Sequence, residues 1–327
     1  MATILETCFQ RATTGSSRIV FPEGEDDRVV QAAAELAKRG ITDPILVGRP
    51  EEINRIAENA NIDVSAVEIH DSKSDACRER YTDVYRDIRG VRTDTAQKII
   101  GNELIYAALA VRSGDADGMI GGCVRTSGEL ISASSEVIGL SDTIDIPSSF
   151  FLMELPDGEV FVFADPALNE NPTAEELADI TVSTAESSTA ILGWEPRVAL
   201  LSFSTKGSAT HPDVKKVQRA TELATERRPE MYIDGEFQAD AALNYGIAER
   251  KLDEIGEVAG QATVLIFPDL DAANISYKLT QELGGAKAYG PILQGFAEPV
   301  SDLSRGASVE DIVGAATITS TLIQGGS

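Results

Sequence analysis

Several residue types are nearly missing from this chain of 327 residues: two histidines, nine lysines, three cysteines and one tryptophan. With Cys8, Cys77 and Cys123 far apart there is no Cys-x-x-Cys pair and no disulfide framework. That excludes a structural zinc site of the usual kind and fits a reducing, cytoplasmic setting. No run of about 18 uncharged apolar residues occurs, so no transmembrane helix is expected. The first residues lack a basic start, an apolar stretch and a small-residue cleavage site in that order, so no signal peptide is expected either. The HExxH, GxSxG, GxxxxGK[ST] and GxGxxG motifs are all absent. Metalloprotease, α/β-hydrolase, P-loop and standard Rossmann dehydrogenase readings therefore lose their sequence support. His70 lies near a strand end and His211 precedes Pro212; both read as surface or capping residues rather than catalytic bases. Any chemistry then falls to Ser, Arg, Asp and backbone amides, with no bound metal.

Acid is present in excess. Asp and Glu total 53 against 28 Lys and Arg, a net charge of −25, spread along the chain. Such a field repels nucleic acid and anionic membranes as partners. Together with the scarcity of lysine it points to a protein adapted to high salt, where screening shortens to about 3 Å at 1 M; an acidic enzyme of ordinary salinity is the alternative. Hydrophobic residues make up 43%, enough for a sizeable core, and the length suggests two domains of about 150 residues.

Short β-branched runs alternate with helical apolar spacing. Arg18–Phe21, Pro44–Val47 and Met119–Ile120 read as strands, and residues 28–37 as a helix with Val29, Val30, Ala33, Ala34 and Leu36 on one side. The alternation predicts an α/β fold with mostly parallel sheets. One segment departs from it: Ser149–Leu155, a Pro-Asp-Gly-Glu turn and Val160–Ala164 read as an antiparallel hairpin. Beyond it, Thr173 to Glu176 forms a capping box for a helix to about Leu192. Arg197–Phe203, Met231–Asp234 and Thr263–Phe267 follow as strands, and a last helix is expected from about Val309 to Ile323. A cleft between the two halves is the default ligand site.

Four segments could carry a site. Asp302-Leu303-Ser304-Arg305-Gly306 leads into a helix start, where free amides and the dipole favour an anion; Ser308 to Asp311 equally fits a capping box. Gly121-Gly122-Cys123-Val124-Arg125-Thr126-Ser127 is either a phosphate cradle or a tight turn with Thr126 or Ser127 as N-cap; Cys123 reads as packed rather than reactive. Ser202–Ser208 is either an anion loop or a solvated one. In Phe267–Asn274, Asp271 or its neighbour caps a helix, or Asn274 bonds a ligand amide. Three of the four lie just past strand carboxyl ends, where open α/β sheets bind ligands.

Taken together the segments resemble phosphate acetyltransferases of the short form. The likeness runs nearly end to end: Phe21-Pro22-Glu23-Gly24, Phe163-Ala164-Asp165, Asn171-Pro172-Thr173, Ser202–Ser208, the run Asp234–Ala242, Ile266–Leu270, Tyr289-Gly290-Pro291 and Asp302–Gly306. The resemblance implies reversible acetyl transfer between CoA and orthophosphate, with CoA as substrate, no tightly bound cofactor and a homodimer. It also implies two three-layer αβα domains with a cleft between them, residues 1–143 plus 294–327 and residues 144–293. By the same resemblance Ser304 bonds the reacting centre, Arg305 holds the phosphate, and Asp311 takes the CoA thiol proton. Thr126 and Ser127 contact acetyl phosphate; Thr205 and Asn274 are added as substrate-binding candidates from the local reading of their own loops. Arg89 matches an upstream family arginine, with Arg86 and Arg92 as rivals. A second family arginine is replaced by Ser132, leaving Arg125 to supply charge from the other side of the hydroxyls; a third basic position is Glu282 here. A butyryl-transferring relative and a non-catalytic acetyl-CoA-binding module share the pattern, and a decarboxylating dehydrogenase shares the architecture.

Overall fold

The computed structural model describes residues 4–13, 15–74 and 76–325. Among the described residues the chain divides into two compact units, one formed by residues 5–141 and 296–325, the other by Ile4 with 142–295.

In the first unit, α1 (Ile4–Ala12) precedes β1 (Arg18–Phe21), α2 (Asp27–Arg39), β2 (Asp43–Val47), α3 (Pro50–Ala60) and β3 (Glu68–His70). Three helices follow, α4 (Arg78–Arg89), α5 (Thr93–Ile99) and α6 (Glu103–Arg112), then β4 (Gly118–Gly121) and α7 (Ser127–Val137). Helix α2 shows why the local sequence folds as it does. Asp26 caps it by accepting from the Arg28 amide, Gly40 ends it in the left-handed region, and Val29, Val30, Ala32, Ala33 and Leu36 are buried. The buried stripe takes Ala32 in place of the expected Ala34, which is half-buried.

The second unit opens on β5 (Ser148–Glu154) and β6 (Val160–Ala164), which pair antiparallel as the hairpin expected from the sequence. Then come α8 (Ala174–Leu192), β7 (Arg197–Leu201), α9 (Pro212–Arg227), β8 (Tyr232–Phe237), α10 (Ala239–Leu243), α11 (Tyr245–Lys251), β9 (Val264–Ile266), α12 (Leu270–Gly284) and β10 (Lys287–Gln294). The Thr173–Glu176 capping box forms at the start of α8. Strands run in the order β10-β5-β6-β9-β7-β8. The pairs β6–β9, β9–β7 and β7–β8 are parallel, whereas β10 joins β5 antiparallel.

The chain then re-enters the first unit with β11 (Val300–Asp302) and α13 (Val309–Gly325). Its five strands, β3-β2-β1-β4-β11, are all parallel. Strand β11 lies inside what the sequence presents as a turn-rich stretch. Three residues are too few to show a period, so only its pairing with β4 reveals it. Each unit has its own core. Ile19, Phe21, Leu36, Ile120 and Ile312 belong to one, and Met153, Phe163, Leu201, Phe237 and Leu265 to the other.

His70 departs from expectation. It is 7% exposed at the end of β3, with Nε2 2.6 Å from Glu68 and Nδ1 3.3 Å from the Tyr106 hydroxyl. The reading as a surface or capping residue is corrected: the apolar run before it carries it inward, and polar partners make that burial tolerable. His211 does cap, its Nδ1 accepting from the Asp213 amide at the start of α9.

Candidate functional site

Free amides at a strand end attract any anion, including one the chain itself supplies. After β4 the amides of Gly122 and Cys123 donate to Glu23 Oε2 at 3.0 and 2.8 Å, and those of Val124 and Arg125 donate to Oε1 at 3.0 and 2.7 Å. Glu23, from the loop after β1, is 9% exposed. The glycine loop has the shape of a phosphate cradle, but the cradle already holds a carboxylate. Reading its amides as a ligand site is therefore corrected. Thr126 is the N-cap of α7 in a full capping box with Glu129. Cys123 is buried, and burial, with Glu23 adding to it, pushes its thiol up to about 12, so it is packed and unreactive.

The second unit repeats the device. Glu236 is 1% exposed; its Oε1 accepts from the Gly207 amide at 2.8 Å and the Ser204 hydroxyl at 2.7 Å. Burial works against its charge, yet these bonds outweigh burial and hold the carboxyl below the usual range. Lys206 turns to Asp234 and to the Gly235 carbonyl. Thr205 is 6% exposed and its Oγ1 accepts from the Gln238 amide at 3.0 Å. In the same unit Asp269 caps α12 by accepting from the Ala272 amide at 2.8 Å, and Asn274 Nδ2 donates to the Pro166 carbonyl at 3.0 Å.

A third loop of this kind closes around Asp165, at the end of β6. Its Oδ1 accepts the Ala167 and Leu168 amides at 3.2 Å, and its Oδ2 accepts the Asn169 amide at 3.0 Å. Asp165 is 3% exposed, and burial raises its carboxyl above the usual range, although Ser149 and those amides oppose the rise.

The loop between β11 and α13 is different. Ser304 and Arg305 are both exposed, and no acidic side chain among the described residues pairs with the Arg305 guanidinium. The loop backbone is clamped from below by Arg28. Its Nη1 donates to the Arg305 and Ala307 carbonyls at 2.8 and 2.9 Å, and its Nη2 to the Cys123 carbonyl at 3.1 Å. Asp26 takes the remaining donors, Nε at 3.0 Å and Nη2 at 2.9 Å. One planar fork thus fixes the 302–307 loop beside the 122–127 loop. Ser127 completes the junction by donating its hydroxyl to Asp302.

At the start of α13 the capping box forms. Asp311 Oδ2 accepts the Ser308 amide at 2.8 Å and hydroxyl at 2.9 Å, and the Asp311 amide donates back to Ser308 Oγ at 3.2 Å. Asp311 is exposed. The expected arginines are less free. Arg125 lies between Glu103 at 3.4 Å and Glu129 at 3.6 Å. Arg89 approaches Glu136 at 3.7 Å, Arg86 pairs with Asp83 and Arg92 with Asp94.

In the first unit the structure therefore brings Thr126, Ser127, Ser304 and Arg305 to one junction; Thr205 and Asn274 belong to the other unit. The sequence reading gave no role to Glu23, Arg28 or Asp302. Glu23 in Phe-Pro-Glu-Gly and Asp302 at the head of Asp302–Gly306 stand in the quoted motifs, which was the available signal; nothing local marks Arg28. Among the described residues no cluster of three or more His, Cys, Asp or Glu could hold a metal ion.

The model of the phosphate acetyl/butaryl transferase family matches residues 3–320. A phosphate acetyltransferase of Thermoanaerobacterium thermosaccharolyticum is 44% identical, over 98% of this chain and 99% of its own length. One from Clostridium acetobutylicum is 41% identical, over 99% of each. Among solved structures, the EutD phosphotransacetylase of Staphylococcus aureus superposes with a TM-score of 0.93 at 36% identity, covering 98% of both chains. The chain belongs to the phosphate acetyl/butaryl transferase family.

Proposed function

We propose that this protein is a phosphate acetyltransferase, exchanging an acetyl group between CoA and orthophosphate. The observation that carries the reading is Arg305: an exposed guanidinium without an acidic partner among the described residues, on a loop held rigid by Arg28. In a chain of net charge −25, where other strand-end loops hold carboxylates of their own, such a cation suits an anionic substrate.

In the forward direction Asp311 accepts the thiol proton of CoA, and the sulfur attacks the acetyl carbon of acetyl phosphate. The tetrahedral oxyanion is met by Ser304. The bond from carbon to the phosphate oxygen then breaks, orthophosphate leaves against Arg305, and Asp311 releases the thiol proton to solvent. Both substrates are bound together, so orientation supplies much of the rate. Thr126 and Ser127 contact acetyl phosphate, with Arg89 and Arg125 supplying further charge. Thr205 and Asn274 enter as substrate contacts on the local reading of their loops, the absence of a tight cofactor on the family resemblance, and a cytoplasmic location on the scattered cysteines. No helix among the described residues is long and apolar enough to cross a membrane.

We also read the chain with domains 1–143 plus 294–327 and 144–293, as a homodimer and as salt-adapted. An apolar row on α12, with Ile275, Leu279 and Leu283 at 55, 51 and 82% exposure, supports association. The test is acetyl-CoA formation from acetyl phosphate and CoA, in dilute buffer and in molar KCl. Arg305→Ala is expected to lower kcat/KM by about 10²–10³ while leaving the melting temperature unchanged. Folded wild-type protein that forms no acetyl-CoA in either buffer sinks the reading; butyryl phosphate turned over in preference would move it to the butyryl relative.

A further inference from the structure

Asp302 ends β11 two residues before Ser304 and is 5% exposed. Its Oδ2 accepts the Ser127 hydroxyl, whereas its Oδ1 has no hydrogen-bond partner among the described residues. Oδ1 faces Gly122, where any Cβ would collide with it and with the Leu303 carbonyl. Burial pushes the carboxyl up to about 6; Ser127 and the Leu303 backbone oppose this and the Glu23 carboxylate adds to it. Cys123, from the loop after β4, is the other titratable group that feels Asp302. Helix α13 meets β11 through Thr319 and Ser301, which bring no charge.

A serine hydroxyl has a single proton. While Ser127 gives it to Asp302, it offers an incoming anion only lone pairs, beside a second negative charge. We propose that Asp302 is a positioning residue that sets the direction of the Ser127 hydrogen bond: a tetrahedral anion binds at the Ser304–Arg305 loop together with one proton, held on Asp302. The protonated carboxyl then donates to Ser127 Oγ, and the Ser127 hydrogen turns to the anion. The proton comes from solvent on binding and returns there on release, and no covalent bond between heavy atoms changes. The inference rests on the reading of Ser127 as an anion contact.

Above about pH 6 the unliganded carboxyl is ionised, so binding must take up a proton, and affinity falls by about tenfold per pH unit. Sulfate is a suitable probe because it does not itself titrate in this range. Its inhibition constant against acetyl phosphate is measured at constant ionic strength from about pH 5.5 to about 8.5. Wild type is expected to show the tenfold slope. Asp302→Asn, whose amide donates permanently, and Ser127→Ala are expected to show none. Equal slopes in wild type and Asp302→Asn overturn the proposal, and so does a flat wild type. A purely structural role would shift the inhibition constant equally at every pH. Should turnover be absent, the acetyltransferase reading fails separately, and carbon-13 labelled aspartate carboxyls still decide this one. A resonance missing from Asp302→Asn that titrates near pH 6 and moves to higher pH with sulfate supports it; one that ignores sulfate overturns it.

Discussion

Asp311 holds two positions at once. Its Oδ2 closes the capping box with Ser308, and the exposed carboxylate stands at the end of the Ser304–Arg305 loop. Asp311→Asn separates the two. The amide oxygen can still accept from Ser308, so the cap is weakened by no more than about 1 kcal/mol, but the group can no longer take a proton. Turnover is expected to fall by about 10²–10⁴ with CoA binding and the circular dichroism spectrum kept. A variant that turns over like wild type removes the base assignment and leaves Asp311 as a cap.

Among the loops, the carboxylate of Glu23 organises the site without belonging to its chemistry. Four successive amides converge on it, from Gly122 to Arg125. A buried donor left without a partner costs about 1–3 kcal/mol, with relaxation and water recovering part of the total over several donors. Glu23→Ala is therefore expected to cost roughly 3 kcal/mol and to weaken acetyl phosphate binding, because the displaced loop carries Thr126 and Ser127. Denaturant unfolding and KM measured on the same variant check this. Unchanged stability would mean that water replaces the carboxylate at no cost.

For the molecule as a whole, the charge of −25 governs how stability responds to salt. Most ion pairs are exposed, such as Arg49–Glu25 at 2.6 Å and Arg219–Glu222 at 3.0 Å, and contribute little apiece. On the salt-adapted reading, self-repulsion among the excess acids outweighs them, and the screening length falls from about 10 Å at 0.1 M salt to about 3 Å at 1 M. The melting temperature is expected to rise by several degrees between dilute buffer and molar KCl. A melting temperature independent of KCl would discard salt adaptation.

Strand and helix alternation, the hairpin at 149–164 and the capping boxes at Thr173 and Ser308 were legible in the sequence, because each depends on residues within a few positions of one another. So was the family, through motifs such as Asp302–Gly306. The occupancy of the loops was not. Gly122–Arg125 looks like a phosphate cradle in one dimension, yet a carboxylate about 100 residues earlier fills it. Likewise, Arg28 reaches the Arg305 carbonyl across 277 positions, and Ser127 reaches Asp302 across 175. Local periodicity determines which elements form; only tertiary packing decides which backbone donors are already satisfied and which cation is left for a substrate, because those bonds join loops and helix starts that the sheet brings together and the chain keeps far apart.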